Sequence, residues 1–330
     1  MKMGKRVAIF LLLGILFIIY GCKDKQPEET SKPYVSESYV TVDDGVELRL
    51  KTVGNGPETV IINPAIYLEY EFEKLIDESR TLVFYDVRGR GRSSKIVDSS
   101  RIRMDIEISD LEALRSHLRK QKVSLIGWSY HGAMVVLYAS RYPSHINRVI
   151  QVGAVAPTAE IQKRATSTPM DNESQALLER LRSEGLDKTD PERFCMEFWD
   201  IYMKRIFYDP LKIGLFLSDR CKCENEMPEN VNFHINAIFA SVGEWDWTER
   251  IKKLEVPVLA IHGVKDPSCP LEGARVWVSI FRNARLLVVP NAGHMPFVED
   301  PDLFYSAVDT FLRGEWPERA EVVGVPVPVR

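Results

Sequence analysis

Three residues of the types that can together perform acyl transfer follow one another along the chain in the order serine, aspartate, histidine. Ser129 lies in the run Gly127-Trp-Ser-Tyr-His-Gly132, and Asp266 and His294 each come shortly after a later apolar run. A serine hydroxyl attacks efficiently only when a neutral imidazole accepts its proton. A carboxylate then fixes the tautomer of that imidazole and stabilises its charged form. The pattern predicts a serine hydrolase with Ser129 as nucleophile, His294 as base and Asp266 as the acid that orients the base.

The run around Ser129 has the strand–turn–helix setting in which a nucleophile elbow forms. The usual pattern is Gly-x-Ser-x-Gly, but here His131 occupies the position of the second glycine and Gly132 follows it. His131 is a rival base, although a residue so close to Ser129 along the chain is poorly placed to reach its hydroxyl. Two other carboxylates fall away from the predicted strand ends and are poorer candidates for the acid, namely Asp246 and Asp300.

Apolar strands and amphipathic helices alternate along most of the chain. The predicted strands span residues 39–42, 46–53, 59–63, 81–85, 123–126, 145–152, 256–261 and 285–289. The helical patterns cover residues 69–78, 106–118, 133–141, 272–281 and 302–312. Such an alternation is typical of an α/β fold with a mostly parallel central sheet and helices on both faces. Ser129, Asp266 and His294 all follow predicted strands, at the edge where α/β proteins hold their catalytic groups.

The alternation stops between residues 157 and 249, where the chain is helical and rich in aromatic residues. An insertion between two halves of one sheet predicts a helical cap, which would supply an apolar substrate pocket. The α/β core is then formed by residues 39–156 and 250–314, and residues 315–330 form a C-terminal tail.

The N-terminus has the features of an export signal. A basic start is followed by a continuous apolar stretch at residues 7–20, which is short for a membrane span and fits a signal peptide. Ile19-Tyr-Gly-Cys22 then resembles a bacterial lipobox. This predicts a signal peptide at 1–21, lipidation of Cys22 and a polar tether at 22–38, and places the protein in the bacterial cell envelope, facing the periplasm or the exterior. An uncleaved anchor and a chance cysteine are the alternatives.

Charge and cysteine content exclude some classes of function. The formal net charge of −4 gives no electrostatic reason to expect a nucleic-acid partner, and the basic run Arg88–Arg92 reads as a solvated turn. Outside the cytoplasm Cys195 could form a disulfide with Cys221 or Cys223, or these residues and Cys269 could be free and buried. No second cysteine pair with ligand spacing exists, so neither a metal nor a cofactor is predicted.

With these motifs the chain resembles the α/β-hydrolase superfamily, and within it the proline iminopeptidase-like branch, over about residues 40–312. Outside the triad the resemblance rests on Phe84-Tyr-Asp-Val-Arg-Gly-Arg-Gly-Arg-Ser93, which is similar to the Asp-x-Arg-Gly-x-Gly-x-Ser loop of that branch. The resemblance implies that this loop supports the active site without taking part in the chemistry.

One loop departs from the family pattern. Members of the branch commonly carry His-Gly-Gly-Pro-Gly after the third strand, where this chain has Asn63-Pro-Ala-Ile66. The resemblance assigns the two oxyanion-hole donors to the backbone N–H groups of Ala65 and Tyr130, because Pro64 has no N–H to give. The side-chain amide of Asn63 is an alternative donor.

The first functional hypothesis is a lipid-anchored hydrolase that cleaves a small ester or amide of a small molecule or short peptide through an acyl-serine intermediate. A carboxylesterase and an aminopeptidase remain open, and epoxide or haloalkane hydrolysis is disfavoured because those relatives have aspartate where Ser129 stands. An aminopeptidase needs a carboxylate for the substrate ammonium, and the candidates in the cap are Glu197, Asp200, Glu224 and Glu244. The second hypothesis is a noncatalytic binding lipoprotein that retains the fold.

Overall fold

The computed structural model describes residues 33–166 and 170–323, which form a central eight-stranded sheet with helices on both faces. The strand order is β1-β2-β4-β3-β5-β6-β7-β8, and every pairing from β4 to β8 is parallel. The strands are β1 Val35–Thr41, β2 Glu47–Val53, β3 Glu58–Asn63, β4 Arg80–Tyr85, β5 Val123–Trp128, β6 Ile146–Val152, β7 Val258–Gly263 and β8 Ala284–Val289. The fold class predicted from the sequence is confirmed.

The helices that cover the sheet occur where the apolar spacing predicts them, with shifted ends. The helices of the core are α1 Ala65–Phe72, α2 Met104–His117 and α3 Tyr130–Arg141, followed after the insertion by α10 Leu271–Ile280, α11 Pro296–Glu299 and α12 Pro301–Leu312. The predicted helix at 69–78 begins earlier, at Ala65, because the chain turns into a helix directly after Pro64. This shift places the N–H of Ala65 in the first turn, where it has no intrahelical acceptor.

The first hairpin starts earlier than the domain prediction. Residues 35–38, expected to end the tether, belong to β1 and pair with β2 from Val35 opposite Val53 onward. Most side chains of β1 are exposed, since it is an edge strand, and the strand therefore lacks the alternation that a sequence pattern detects. Residues 1–32, which include the predicted signal peptide, Cys22 and most of the tether, lie outside the described residues.

The chain between β6 and β7 is largely helical. Its helices are α4 Ala159–Gln162, α5 Asn172–Ser183, α6 Leu186–Thr189, α7 Pro191–Ile206, α8 Pro228–Val242 and α9 Thr248–Ile251. A bridge between Thr158 and Asp246 joins the two ends of this segment. A disulfide links Cys195 of α7 to Cys221, while Cys223 and Cys269 are free and buried. No described helix is long and apolar enough to cross a membrane.

The start of the C-terminal tail contacts the core. Glu321 exchanges two backbone hydrogen bonds of 2.8 Å with Leu286 of β8. Ala320 is buried beside this bridge, and Trp316 packs on Phe311. Because β8 is the last strand of the sheet, this segment covers part of an edge that would otherwise expose unpaired backbone groups.

Candidate active site

Ser129 stands at a strained turn between β5 and α3. Its φ of 61° is a left-handed value that non-glycine residues rarely adopt. The turn is held because the N–H of Ser129 donates to the carbonyl of Val152 at 2.9 Å, and the N–H of Gly132 donates back to the carbonyl of Ser129 at 3.0 Å. The predicted nucleophile is therefore raised above the carboxyl end of the sheet.

The backbones of β5 and α3 come so close beside this turn that glycine is required at positions 127 and 132. A Cβ at Gly127 would lie 2.3 Å from the carbonyl oxygen of His131, and one at Gly132 would lie 2.8 Å from the Cβ of Ala154. Gly132 therefore performs the packing role of the displaced second glycine.

We expect Gly127→Ala to lower the free energy of unfolding by about 1–3 kcal/mol, since the new methyl group would overlap backbone atoms. The activity should fall with it, because the overlap displaces the turn that holds Ser129. Urea denaturation and ester hydrolysis measure the two effects. The matched control is Gly214→Ala, since no atom lies within 4 Å of a Cβ at Gly214. Equal stability of the two variants would contradict the close approach described for the turn.

The structure brings Asp266 and His294 into direct contact. Asp266 accepts a hydrogen bond of 2.7 Å from Nδ1 of His294 on its Oδ2. Its Oδ1 accepts the backbone N–H groups of Ser268 and Cys269 at 2.8 and 3.0 Å. Burial opposes ionisation of Asp266, but the electrostatic interaction and the hydrogen bond with His294 hold the pKa of the carboxyl below its ordinary value. This arrangement fixes the proton on Nδ1 and leaves Nε2 of His294 to act as a base.

Ser129 and His294 line the same two cavities. Within the described residues no hydrogen bond joins their side chains, and such catalytic bonds often tighten only around substrate. The backbone of Gly153 lies beneath the pair formed by His294 and Asp266, where a Cβ would come within 3.1 Å of Nδ1 and 3.2 Å of Oδ2. The three predicted residues thus meet at one end of the sheet.

Glu299 is a supporting residue that the sequence did not reveal. Its buried carboxylate accepts backbone N–H groups from Gly293 at 2.7 Å, Tyr208 at 2.7 Å and Asp209 at 3.0 Å. The N–H of His294 in turn donates to the carbonyl of Ile206 at the end of α7. The loop that carries the imidazole is therefore fixed to the insertion as well as to the core. No spacing signal could identify Glu299, because two of its three partners lie about 90 residues away in the chain.

The two predicted oxyanion donors differ in their access to the cavities. Tyr130, the first residue of α3, lines both of them beside Ser129. Ala65 is fully buried directly behind Pro64, which lines the smaller cavity. The side-chain amide of Asn63 is turned away from this role, because it donates to the hydroxyl of Tyr85 at 3.3 Å.

Asp86, which begins the Asp-x-Arg-Gly-x-Gly-x-Ser loop, supports the helix start beside Ala65. One carboxylate oxygen accepts the N–H of Ile66 at 2.8 Å, and the other accepts the N–H of Arg92 at 3.1 Å. Burial raises the pKa of Asp86 from 3.8 to about 7, against the lowering effect of these two hydrogen bonds. The loop thus holds the start of α1 in place through a buried carboxyl group.

The raised pKa of Asp86 predicts a pH dependence of stability. Since the folded chain binds this proton more tightly than the unfolded chain, the stabilising effect is full below about pH 4 and is lost as the pH rises to about 7. Between pH 5 and 7 we expect this group to lower the free energy of unfolding by on the order of 2–3 kcal/mol. Asp86→Asn should remove that part of the slope in urea denaturation across this range. Parallel slopes for the wild type and the variant would refute the assignment.

The remaining histidines near the site have structural partners. Nδ1 of His131 donates to the carbonyl of Trp128 at 3.2 Å, and burial holds the pKa of His131 well below its ordinary value. His262 donates through Nε2 to the carbonyl of Cys269 at 2.9 Å and lies 3.6 Å from Asp266. His262 therefore supports the loop that carries the acid, and His131 stays neutral.

Among the described residues, one group of side chains has the spacing of a metal site, consisting of Asp266, Cys269 and His294. The hydrogen bond between Asp266 and His294 already uses the atoms that would bind the ion. Burial raises the pKa of the Cys269 thiol well above its ordinary value, which disfavours the thiolate that a metal requires. The donor set fits a proton-transfer pair better than a metal ion.

Two cavities meet at the pair formed by Ser129 and His294. The larger cavity measures about 270 Å³ and includes Gln162, Arg205 and Ser268. The smaller one, called the aromatic cavity below, measures about 170 Å³. Its aromatic walls are Tyr67, Trp128, Tyr130, Phe198, Trp199 and Tyr202. The site can therefore hold the two halves of a molecule whose reacting carbon lies between them.

Comparison with known proteins agrees with the fold. The family model described as alpha/beta hydrolase fold matches residues 60–301. The chain is 27% identical to a bifunctional esterase/perhydrolase of Acinetobacter calcoaceticus, over 79% of this chain and 94% of that protein. It is 25% identical to a proline iminopeptidase of Saccharolobus solfataricus, over 70% of this chain and 75% of that protein.

Solved structures support the same architecture. An esterase from Exiguobacterium antarcticum superposes with a TM-score of 0.62 and 22% identity, covering 84% of this chain and 100% of that one. At this identity the likeness concerns the fold alone. The matched range begins in β3 and ends at the start of α12, so it contains all three residues of the predicted triad.

Proposed function

The chain belongs to the alpha/beta hydrolase fold family, and on that premise we propose that it is a serine hydrolase of small esters. Ser129 attacks the ester carbonyl while His294 takes its proton, and Asp266 stabilises the imidazolium that forms. The alcohol leaves with a proton returned by His294, and water then releases the acid from Ser129 by the same route. The observation that carries the proposal is the contact of 2.7 Å between Asp266 and His294 at a cavity that Ser129 also lines.

The cavities favour an ester over a peptide with a free amino terminus. An aminopeptidase must bind a substrate ammonium, yet no carboxylate lines either cavity among the described residues. Three of the four candidate acids of the cap form exposed ion pairs with lysines, namely Asp200, Glu224 and Glu244. The fourth, Glu197, lines neither cavity.

Glu226 bonds to two residues that line the aromatic cavity, Tyr67 and Arg90, and its oxygens are already occupied. One accepts from Nε of Arg90 at 2.9 Å and from the N–H of Gly91 at 2.7 Å. The other accepts from Nη2 of Arg90 and from the hydroxyl of Tyr67. A carboxylate with this many donors has no lone pair in position for an ammonium group, which supports the choice of an esterase.

Substrate panels separate the two activities. Purified protein should hydrolyse p-nitrophenyl acetate and p-nitrophenyl butyrate, with Ser129→Ala as the inactive control. Aminoacyl p-nitroanilides, including that of proline, should be poor substrates by at least about 100-fold in kcat/KM. If proline p-nitroanilide is hydrolysed faster than either ester, the aminopeptidase is favoured.

We also propose that the protein is anchored in the cell envelope through Cys22. The disulfide between Cys195 and Cys221 supports an oxidising compartment, since structural disulfides are rare in the cytosol. Mass spectrometry of the mature protein from membranes should find a lipidated N-terminal Cys22. An unmodified chain that still begins with Met1 would overturn the proposal.

A further inference from the structure

We propose that the aromatic cavity binds one uncharged aromatic ring of the ester. This inference rests on the proposed function and names the substrate class of the same site. It follows from three properties of the cavity, which are the arrangement of its rings, its size and the absence of net charge in its walls.

Five of the six rings of the cavity form one connected cage. Tyr67 lies 5.7 Å from Trp128 and 5.6 Å from Trp199, measured between ring centroids. Trp199 lies 5.2 Å from Tyr202, edge to face, and Phe198 lies 5.6 Å from Trp199. Because each ring is fixed by its neighbours, the cage presents both edges and faces without rearrangement. An inserted aromatic ring gains from such contacts beyond the area it buries.

The cage joins the insertion to the core. Phe198, Trp199 and Tyr202 lie on α7, whereas Tyr67 lies on α1 and Trp128 immediately precedes Ser129. Trp128 also donates through Nε1 to the backbone carbonyl of His294 at 2.9 Å. The cage is therefore adjacent to the reacting atoms, and a ring held in it must be attached close to the scissile bond.

The aromatic cavity is large enough for a single aromatic ring. An apolar cavity of about 150 Å³ is known to hold benzene, and this one measures about 170 Å³. The other half of the ester extends into the larger cavity, which shares Ser129 and His294 with the aromatic cavity.

The side chains that line the aromatic cavity present no net charge to a bound ring. Arg90 is the charged residue in the lining, and its guanidinium is neutralised by the bidentate pair with Glu226 at 2.9 and 2.8 Å. Arg90 is also held by the hydroxyl of Tyr67 at 3.1 Å. His131 is neutral, as described above, and therefore offers no cation to an acidic substituent. These features favour a neutral ring over one that bears a carboxylate or an ammonium group.

The test uses ester pairs with matched chemical reactivity. Benzyl acetate is compared with cyclohexylmethyl acetate, and methyl phenylacetate with methyl cyclohexylacetate, so that the ring is placed on either side of the ester. Ethyl acetate is the reference without a ring. We expect kcat/KM for the aromatic member of at least one pair to exceed that of the saturated member about five-fold. Equal values in both pairs would overturn the proposal.

Two variants on the same helix localise the preference. Val231 lines the aromatic cavity alone and Phe239 lines the larger cavity alone, and both lie on α8. Val231→Phe should lower the ratio of kcat/KM for the preferred aromatic ester to that for ethyl acetate at least ten-fold. Phe239→Trp should leave this ratio within about two-fold. Because each ratio is measured within one protein, a general loss of folded enzyme does not affect it, and an unchanged ratio in Val231→Phe would refute the assignment.

A binding measurement separates this inference from the proposed function. Calorimetric titration of Ser129→Ala with benzyl alcohol and with cyclohexylmethanol needs no catalysis. We expect tighter binding of benzyl alcohol, and loss of that binding in the double variant with Val231→Phe. If no ester is hydrolysed but this preference holds, the proposed function fails and the ring site stands. Equal binding of the two alcohols would reject the ring site whatever the activity.

Discussion

Ser129→Ala is expected to reduce kcat for ester hydrolysis by at least about 10⁴-fold, the largest effect of any single substitution in this protein. The hydroxyl is the atom that bonds to the substrate, and no described side chain beside it can replace it. Nδ1 of His131 donates to the carbonyl of Trp128, and Nε2 of the same ring is buried. Cys269 lines the larger cavity, but burial keeps its thiol protonated. A hydrolysis assay with active-site titration measures the loss.

The control for this variant is Ser279→Ala. Ser279 bonds only to the carbonyl of Val276 within its own helix, among the described residues, so its removal should leave kcat within about two-fold. Thermal unfolding of both variants shows whether folding is affected. If Ser129→Ala keeps more than a tenth of the wild-type kcat, Ser129 is not the nucleophile of the reaction.

Asp266→Asn is expected to have the second largest effect, a loss of about 10⁴-fold in kcat with little change in KM. The amide can still accept the N–H groups of Ser268 and Cys269 on its oxygen. Its NH₂ group then faces Nδ1 of His294 and forces the imidazole proton onto Nε2. In that tautomer Nε2 has no lone pair for the proton of Ser129, so the base is lost while the geometry is kept.

The matched control is Asp246→Asn, at the end of the insertion. Asp246 accepts the N–H and the hydroxyl of Thr248 on one oxygen, a role that an asparagine oxygen also fills. Asp246→Asn should therefore retain activity within about two-fold. Similar losses in both variants, or a large rise in KM with unchanged kcat for Asp266→Asn, would contradict the assigned role.

The sequence predicted the residues whose position depends on local pattern and strand order. Ser129, Asp266 and His294 each follow a buried apolar strand, and parallel strands bring their carboxyl ends to one edge. The strand ends were accordingly placed within a few residues for β3, β4 and β8. β1 was misjudged at its start, because an exposed edge strand carries no apolar alternation.

The support of the site could not be predicted, since it depends on contacts between distant segments. Glu226 pairs with Arg90 across 136 positions, and nothing in its neighbourhood distinguishes it from the exposed acids of the insertion. Cys195 pairs with Cys221 and not with Cys223, and this choice depends on how α7 packs against the segment that carries both cysteines. The spacing of residues in the sequence indicates which chemistry a site can perform. The shape and charge of the site depend on how distant segments pack together.

Labelling with a fluorophosphonate tests directly whether Ser129 is an activated nucleophile, because the reagent bonds covalently to a serine only where a base activates its hydroxyl. We expect intact-protein mass spectrometry to detect one adduct per chain and peptide mapping to locate it on Ser129. Asp266→Asn should be labelled far more slowly. An unlabelled wild-type protein, or equal labelling of Ser129→Ala, would contradict the nucleophilic role of Ser129 and favour a binding protein that retains the hydrolase fold.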